Sequence, residues 1–170
     1  MTTENVFSTL AAHMLEGIMF HDQVCQIYMF LGMYGYAAEH EKQFIEESCD
    51  YRDLVYYYNT RHNKLLKQGE ITTRDIIPSG WYEYTQHDVS PPTKQQTVRE
   101  MFSKWIAWEK DTKKLLENMY SELMVLGEVA DAQEISVYID KVDKELEKAE
   151  EQELKLKTVT YDLVYITENQ

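Results

Sequence analysis

The side chains of this sequence that could do chemistry are a few acids and histidines placed among apolar residues. Glu109 lies on a helical row of otherwise apolar residues, between Ile106 and Leu116. A carboxylate on such a face is either a metal ligand or an acid held by hydrogen bonds, because burying an unpaired charge is costly. His21 and His62 also lie on apolar faces, either as ligands or as core histidines bonded to neighbours. Oxygen and imidazole ligands of this kind suit iron or manganese.

Other kinds of chemistry leave no pattern in the sequence. It contains no glycine-rich phosphate loop, no Cys-x-x-Cys pair and no ordered set of Ser, His and Asp. The 170 residues include 17 Lys and Arg against 30 Asp and Glu, a formal charge of −13. This charge disfavours binding to nucleic-acid phosphates, whose affinity depends on basic side chains.

The composition also bears on location. No stretch approaches the roughly 18 uncharged apolar residues that a membrane-spanning helix needs, and the sequence contains two cysteines, Cys25 and Cys49. Such a low cysteine content is not that of a disulfide-rich secreted scaffold. We therefore expect a cytoplasmic protein with no membrane partner.

Four long helices would have to position the candidate ligands. Apolar residues recur three and four positions apart over stretches at about 3–36, 42–67, 97–126 and 131–157. We expect the turn between the first two helices at residues 39–41. Asp131 is expected to cap the fourth helix, with Glu134 completing a capping box.

A long connection separates the second helix from the third. Pro78, Pro91 and Pro92 all fall in this stretch, where the helical spacing disappears. The pattern predicts an all-α fold: a four-helix bundle of two antiparallel hairpins joined by a long crossover. Residues 1–157 would form a single domain, and residues 158–170 a C-terminal tail or short extra element. We favour an extended tail because its apolar residues alternate.

The chain resembles ferritin and bacterioferritin subunits in length, in helix spacing and in the segment WIAWEKDT at 105–112. That segment resembles the third-helix stretch in which ferritins carry a ligand Glu followed by polar residues. The resemblance covers about residues 7 to 155 and implies a pair of metal ions, iron above all, in the bundle core. It places Asp22 near the first-helix ligand position and Asp143 near the fourth-helix position.

The second helix departs from the family pattern, which would place Glu-x-x-His on the inward face. No Glu-x-x-His occurs in the chain, and the corresponding place holds the residues DLVY at 53–56. The di-metal motif is therefore degenerate. In a Dps-type arrangement, His21 and Asp22 would instead be ligands shared across a subunit interface.

The predicted metal ligands are Glu109, Asp22, His62, Asp143 and His21. The resemblance implies a homo-oligomer that binds and stores iron, with ferroxidase activity if the centre is intact. The alternative is a metal-free helical bundle that acts as an assembly or protein-interaction module, which the missing motif favours. A third interpretation, an acidic mimic of nucleic acid that occupies a basic site, requires a row of exposed acids that only the fourth helix offers.

Overall fold

The computed structural model describes residues 1–73 and 75–170. Within these residues the chain forms four long α-helices and a short one: α1 (Thr3–Phe30), α2 (Tyr34–His62), α3 (Pro91–Val125), α4 (Val129–Thr158) and α5 (Leu163–Asn169). Helix α1 packs along α2 and α3 along α4, and α1 also contacts α3. The connection between α2 and α3 contains two 3₁₀ helices, Ser79–Glu83 and Gln86–Asp88. The predicted four-helix bundle with a long crossover is confirmed.

Both hairpins turn at a glycine in the left-handed region. Gly32 follows α1 with a φ of 73°, and Gly127 follows α3 with a φ of 78°. After α1, the N–H of Gly32 donates to the carbonyl of Met29 at 3.1 Å and that of Met33 to the carbonyl of Tyr28 at 2.9 Å. An equivalent pair of bonds follows α3. Glycine adopts this conformation without a Cβ clash, so it closes each helix and reverses the chain.

The position of the first turn corrects the expectation from the sequence. The chain turns at Gly32, so α1 does not extend to Tyr36, and residues 39–41 lie inside α2. His40 therefore belongs to the second helix. The prediction was wrong because it placed no helix end at Gly32, which supplies the positive φ that ends α1.

Helix α3 begins earlier than expected, at Pro91. Ser90 is the N-cap, and its hydroxyl accepts a hydrogen bond from the N–H of Thr93 at 3.3 Å. Pro91 and Pro92 occupy the first turn, where backbone N–H groups have no partner within the helix and proline is tolerated. These two prolines therefore start α3 instead of belonging to the crossover.

The start of α4 also differs from the expectation. The helix begins at Val129, after the N-cap residue Glu128, which makes no side-chain capping bond. Asp131 lies inside the first turn and is fully buried. The predicted cap at Asp131 was wrong because its carboxylate bonds to another helix instead of to the start of its own.

Asp131 joins the beginning of α4 to the end of α2. The hydroxyl of Tyr57 donates to its Oδ1 at 2.9 Å, and Nε2 of His62 lies 3.0 Å from its Oδ2. Nε of Arg61 lies 3.8 Å from Oδ1. These contacts give a buried carboxylate the partners that it needs.

The end of the chain forms α5 instead of the favoured extended tail. Asp162 caps this helix by accepting from the N–H of Tyr165 at 3.0 Å. Ile166 is fully buried against the bundle. The side chain of Gln170 accepts from the N–H of Gly35 at 3.2 Å, and a Cβ on Gly35 would lie 2.4 Å from the backbone of Gln170. The chain end thus packs on the start of α2.

The apolar core has two parts, one toward each end of the bundle. The first cluster holds residues from the beginning of α1, the end of α2, the end of α3 and the beginning of α4, including Phe7, Leu10, Leu54, Leu123 and Ile135. The second cluster holds residues from the opposite halves of the same helices, including Val24, Tyr28, Phe102, Trp105 and Leu156. Because α2 ends at the first cluster and α3 begins at the second, the crossover runs the length of the bundle.

None of the helices in the described part of the chain is both long enough and apolar enough to cross a bilayer.

The contacts of Asp131 predict a loss of stability on its replacement. Asp131→Ala removes the carboxylate that binds Tyr57 and His62, and should lower the free energy of unfolding by about 3 kcal/mol. Urea denaturation followed by circular dichroism measures this difference. Asp140→Ala, an exposed position on the same helix, is the matched control and should change stability by less than about 0.5 kcal/mol. Equal effects of the two substitutions would contradict the role assigned to Asp131.

Candidate metal centre

A polar layer separates the two apolar clusters in the middle of the bundle. Each long helix contributes an ionisable side chain to it: His21 from α1, Glu47 from α2, Glu109 from α3 and Glu145 from α4. Helix α2 adds the buried His40 and Gln43. Beyond this layer, the apolar inward residues of the helices belong to the first cluster on one side and to the second on the other. His21 is 0% exposed and Glu109 is 3% exposed. The layer therefore places ionisable groups where water has little access.

His21, Glu47 and Glu109 face a common point. Nε2 of His21 lies 3.5 Å from Oε1 of Glu47 and 3.8 Å from Oε1 of Glu109. One ligand atom from each residue lies within 4.8 Å of the other two. Among the described residues, Nε2 of His21 and Oε2 of Glu47 have no hydrogen-bond partner. One imidazole nitrogen and two carboxylates are a ligand set that suits a divalent transition-metal ion.

Gly17 gives the Glu47 carboxylate its place beside His21. A Cβ at Gly17 would lie 2.1 Å from Oε2 of Glu47, which is far inside van der Waals contact. The missing side chain on α1 is thus the space that the carboxylate fills. Any other residue at position 17 would force Glu47 to move.

Two buried residues hold the ligands in position. Nδ1 of His21 lies 2.9 Å from Nδ1 of His40, and the indole N–H of Trp105 donates to Oε1 of Glu109 at 3.1 Å. The rings of His40 and Trp105 meet edge to face, with centroids 4.7 Å apart. Outer contacts of this kind orient metal ligands in proteins. Burial, helped by His21 and Lys148, holds the pKa of His40 well below its usual value, so His40 is neutral.

The environment of Glu109 favours its protonated form. Burial is the main cause, and the nearby Glu47 carboxylate adds to it; together they raise the pKa of Glu109 to about 8. The hydrogen bond from Trp105 opposes this rise without cancelling it. A cation beside the carboxylate would remove the penalty on its charged form.

The fourth helix contributes a carboxylate that already has a partner. Glu145 is half-buried, accepts a hydrogen bond from the amide of Gln43, and has its pKa raised, chiefly by burial. It lines a cavity of about 470 Å³ to which all four long helices contribute, and which also reaches Glu47, Asp50 and Glu109. This cavity connects the polar layer with the acidic surface of α2.

The structure brings together two of the five residues predicted as ligands, Glu109 and His21. Asp22 follows His21 directly, so the helix turns it outward, and it is exposed and bonded to Gln26 at 2.6 Å. Asp143 is exposed and forms an ion pair with Lys113.

His62, the fifth predicted ligand, lies at the far end of α2, bonded to Asp131. It is separated from the polar layer by the first cluster.

Sequence reasoning missed Glu47, Glu145 and His40. Glu109 was singled out because it is an acid on an apolar stripe, and Glu47 and Glu145 show the same pattern. Glu47 lies between Phe44 and Tyr51 at helical spacing, and Glu145 lies between Val142 and Ala149. His40 was missed because its segment was expected to be a turn.

Comparison with known proteins finds likeness in structure alone. No family model and no curated protein matches the sequence. A humanized archaeal ferritin matches with a TM-score of 0.79 at 13% identity, over 96% of this chain and 90% of that one. An iron-soaked PmFTN variant matches with a TM-score of 0.77 at 12% identity, over 98% and 95% of the two chains.

A closed form of the Archaeoglobus fulgidus ferritin, obtained by site-directed mutagenesis, also matches. Its TM-score is 0.77 at 11% identity, over 100% of this chain and 98% of that one. Both hairpins, the crossover and the chain end are therefore included in the likeness. The chain has the ferritin-like fold.

Proposed function

We propose that this protein binds a divalent transition-metal ion, iron first of all, through His21, Glu47 and Glu109. The observation that supports this most directly is Nε2 of His21, which is buried, faces two carboxylates and has no hydrogen-bond partner within residues 1–73 and 75–170. Buried polar atoms of proteins are almost always paired. A metal ion would supply the missing partner and balance the two negative charges.

The ligand set admits iron, and the structural comparison favours it over other metals. Carboxylate oxygens with one imidazole nitrogen suit ferrous iron as they suit manganese and zinc. The iron-soaked PmFTN variant shares the fold over nearly its whole length. Bound iron would supply one-electron redox chemistry, while the residues of this chain bind the ion, orient it through His40 and Trp105, and limit access of water.

Assembly into a homo-oligomer is part of the proposal. Tyr34, Ile45 and Tyr56 recur at intervals of eleven residues along α2, which places them on one face of the helix. Their exposed fractions are 60%, 54% and 62%. A second copy of the chain would cover this apolar face. The second candidate function, a metal-free assembly module, would use the same face, so the two candidates differ only in metal binding.

Cobalt(II), whose absorption reports its ligands, provides the test of the proposed site. Glu109→Gln keeps the size of the side chain and the bond from Trp105 but removes an anionic ligand. Because loss of a contact behind the ligands already costs 10- to 100-fold, we expect this variant to bind cobalt at least about 100-fold more weakly than the unmodified protein. Anaerobic titration followed by visible absorption measures the two affinities.

Two of the exposed acids serve as controls for this titration. Asp22→Asn and Asp143→Asn remove one negative charge each, away from the polar layer, and should leave the cobalt affinity within about twofold. Equal affinity in the Glu109→Gln variant, or no cobalt absorption in the unmodified protein, would overturn the proposal in favour of the metal-free module.

The raised pKa of Glu109 predicts a pH-dependent loss of stability in the metal-free protein. Its pKa is about 8 when folded and 4.5 ordinarily, so between these values the folded state holds a proton that the unfolded state has lost. The free energy of unfolding then falls by about 1.4 kcal/mol per pH unit, or about 2 to 3 kcal/mol between pH 6 and pH 8.

Urea denaturation with a chelator present, at pH 6 and pH 8, isolates this effect. Gln at position 109 does not titrate, so the stability of Glu109→Gln relative to the unmodified protein should rise by about 2 to 3 kcal/mol over this interval. A stability difference that stays constant from pH 6 to pH 8 would show that Glu109 ionises normally in the folded chain.

A further inference from the structure

We propose that the polar layer holds one metal ion per chain, and not the pair that the resemblance to ferritins implies. This inference rests on the proposed function, because it concerns the number of ions at the same site. Its basis is the supply of ligands, the space beside α1 and the balance of charge in the layer.

The ligand groups of the layer converge on one point and leave no second set. His21, Glu47 and Glu109 are the group of ligand atoms that lie within 4.8 Å of one another in the described residues. Glu145, the next acid toward the surface, is bound to the amide of Gln43. A second ion would need that carboxylate and others to leave their present partners.

The neighbouring acids are bound to lysines. Asp50 forms an ion pair with Lys141, and Glu39 forms one with Lys148. Each pair joins α2 to α4, and Asp50 and Lys141 also line the cavity that reaches the polar layer. The lysines already balance these carboxylates, so they offer little net negative charge to a second metal ion.

Helix α1 contributes a single ligand because its other inward position is Gly17. This residue precedes His21 by one turn, where a longer side chain would also reach the layer. Its space is filled by Oε2 of Glu47, 2.1 Å from where a Cβ would stand. The helix therefore cannot add a second oxygen ligand without displacing the first carboxylate.

The charge of the layer favours one divalent cation over two. Glu47, Glu109 and Glu145 together supply at most three negative charges, one fewer than two divalent ions require. A second ion would therefore leave positive charge uncompensated beside buried side chains, which is unfavourable. Three protein ligands around one ion also leave positions open for water or an exchanging ligand.

The number of ions also bears on activity. A single ferrous ion would offer one electron to an acceptor, whereas a pair would offer two. A one-ion layer is therefore suited to binding and exchanging the ion, and a two-electron reduction would require one further electron from a second ferrous ion.

Manganese(II) can show how many ions each chain binds, because its electron paramagnetic resonance spectrum distinguishes a lone ion from a magnetically coupled pair. The unmodified protein and Glu109→Gln are equilibrated under nitrogen at a manganese(II) concentration that just saturates the unmodified protein, and bound metal per chain is measured after removal of free ion. Surface acids bind manganese equally in both proteins, so the number of ions bound by Glu109→Gln is subtracted from the number bound by the unmodified protein. We expect a difference of one ion per chain and a spectrum without coupling. Glu47→Gln, at a less buried ligand, provides a second comparison in case Glu109→Gln folds poorly.

The alternative outcomes separate the two proposals. A difference of two ions with a coupled spectrum would overturn the one-ion inference and leave the proposed metal-binding function standing. A difference of zero in both variants would overturn the proposed function and the one-ion inference together.

Discussion

The burial of His21 beside two carboxylates is the constraint on which the rest of this structure depends. Nε2 of its imidazole is closed off from water and unpaired among the described residues, 3.5 Å from Glu47 and 3.8 Å from Glu109. An arrangement of this kind is unfavourable in an apolar core unless a proton or a metal cation joins the groups. The apolar clusters on both sides limit the access of water to the layer and so strengthen the electrostatic interactions that form there.

The surrounding structure serves to place these groups accurately. Glycines 32 and 127 close α1 and α3 with the same pattern of hydrogen bonds, so each hairpin has a defined register. The register of the first hairpin brings His40 against His21. Trp105 donates to Glu109 one turn along α3 and meets the ring of His40 between the two hairpins. Gly17 then leaves room for the Glu47 carboxylate. Each of these features acts on the position of a ligand atom.

The fold was more accessible to sequence reasoning than the site. Helical spacing and the proline-containing connection were sufficient to predict the bundle and its crossover, because long amphipathic patterns depend on many residues. Helix ends depend on single residues, and the turn at Gly32 was misplaced for that reason. Since His40 fell in the supposed turn, its role beside His21 was not foreseen. Two prolines assigned to the crossover proved to start α3.

The sequence-predicted residues that the structure brings together are those chosen by burial. Glu109 and His21 were chosen because they interrupt apolar rows, and both lie in the polar layer. Asp22 and Asp143 were chosen by alignment with a family pattern, and both point outward to Gln26 and Lys113. An alignment without motif residues does not specify which side of a helix faces the core. His62 does occupy a packed position, but Asp131 provides its partner.

The most direct test of the central claim is X-ray diffraction from crystals of the cobalt(II) complex, with anomalous maps calculated on either side of the cobalt absorption edge. The account predicts one strong cobalt peak in the core of each chain, about 2.0 to 2.2 Å from Nε2 of His21 and from oxygens of Glu47 and Glu109. Cobalt peaks confined to surface acids, with none between these three side chains, would contradict it.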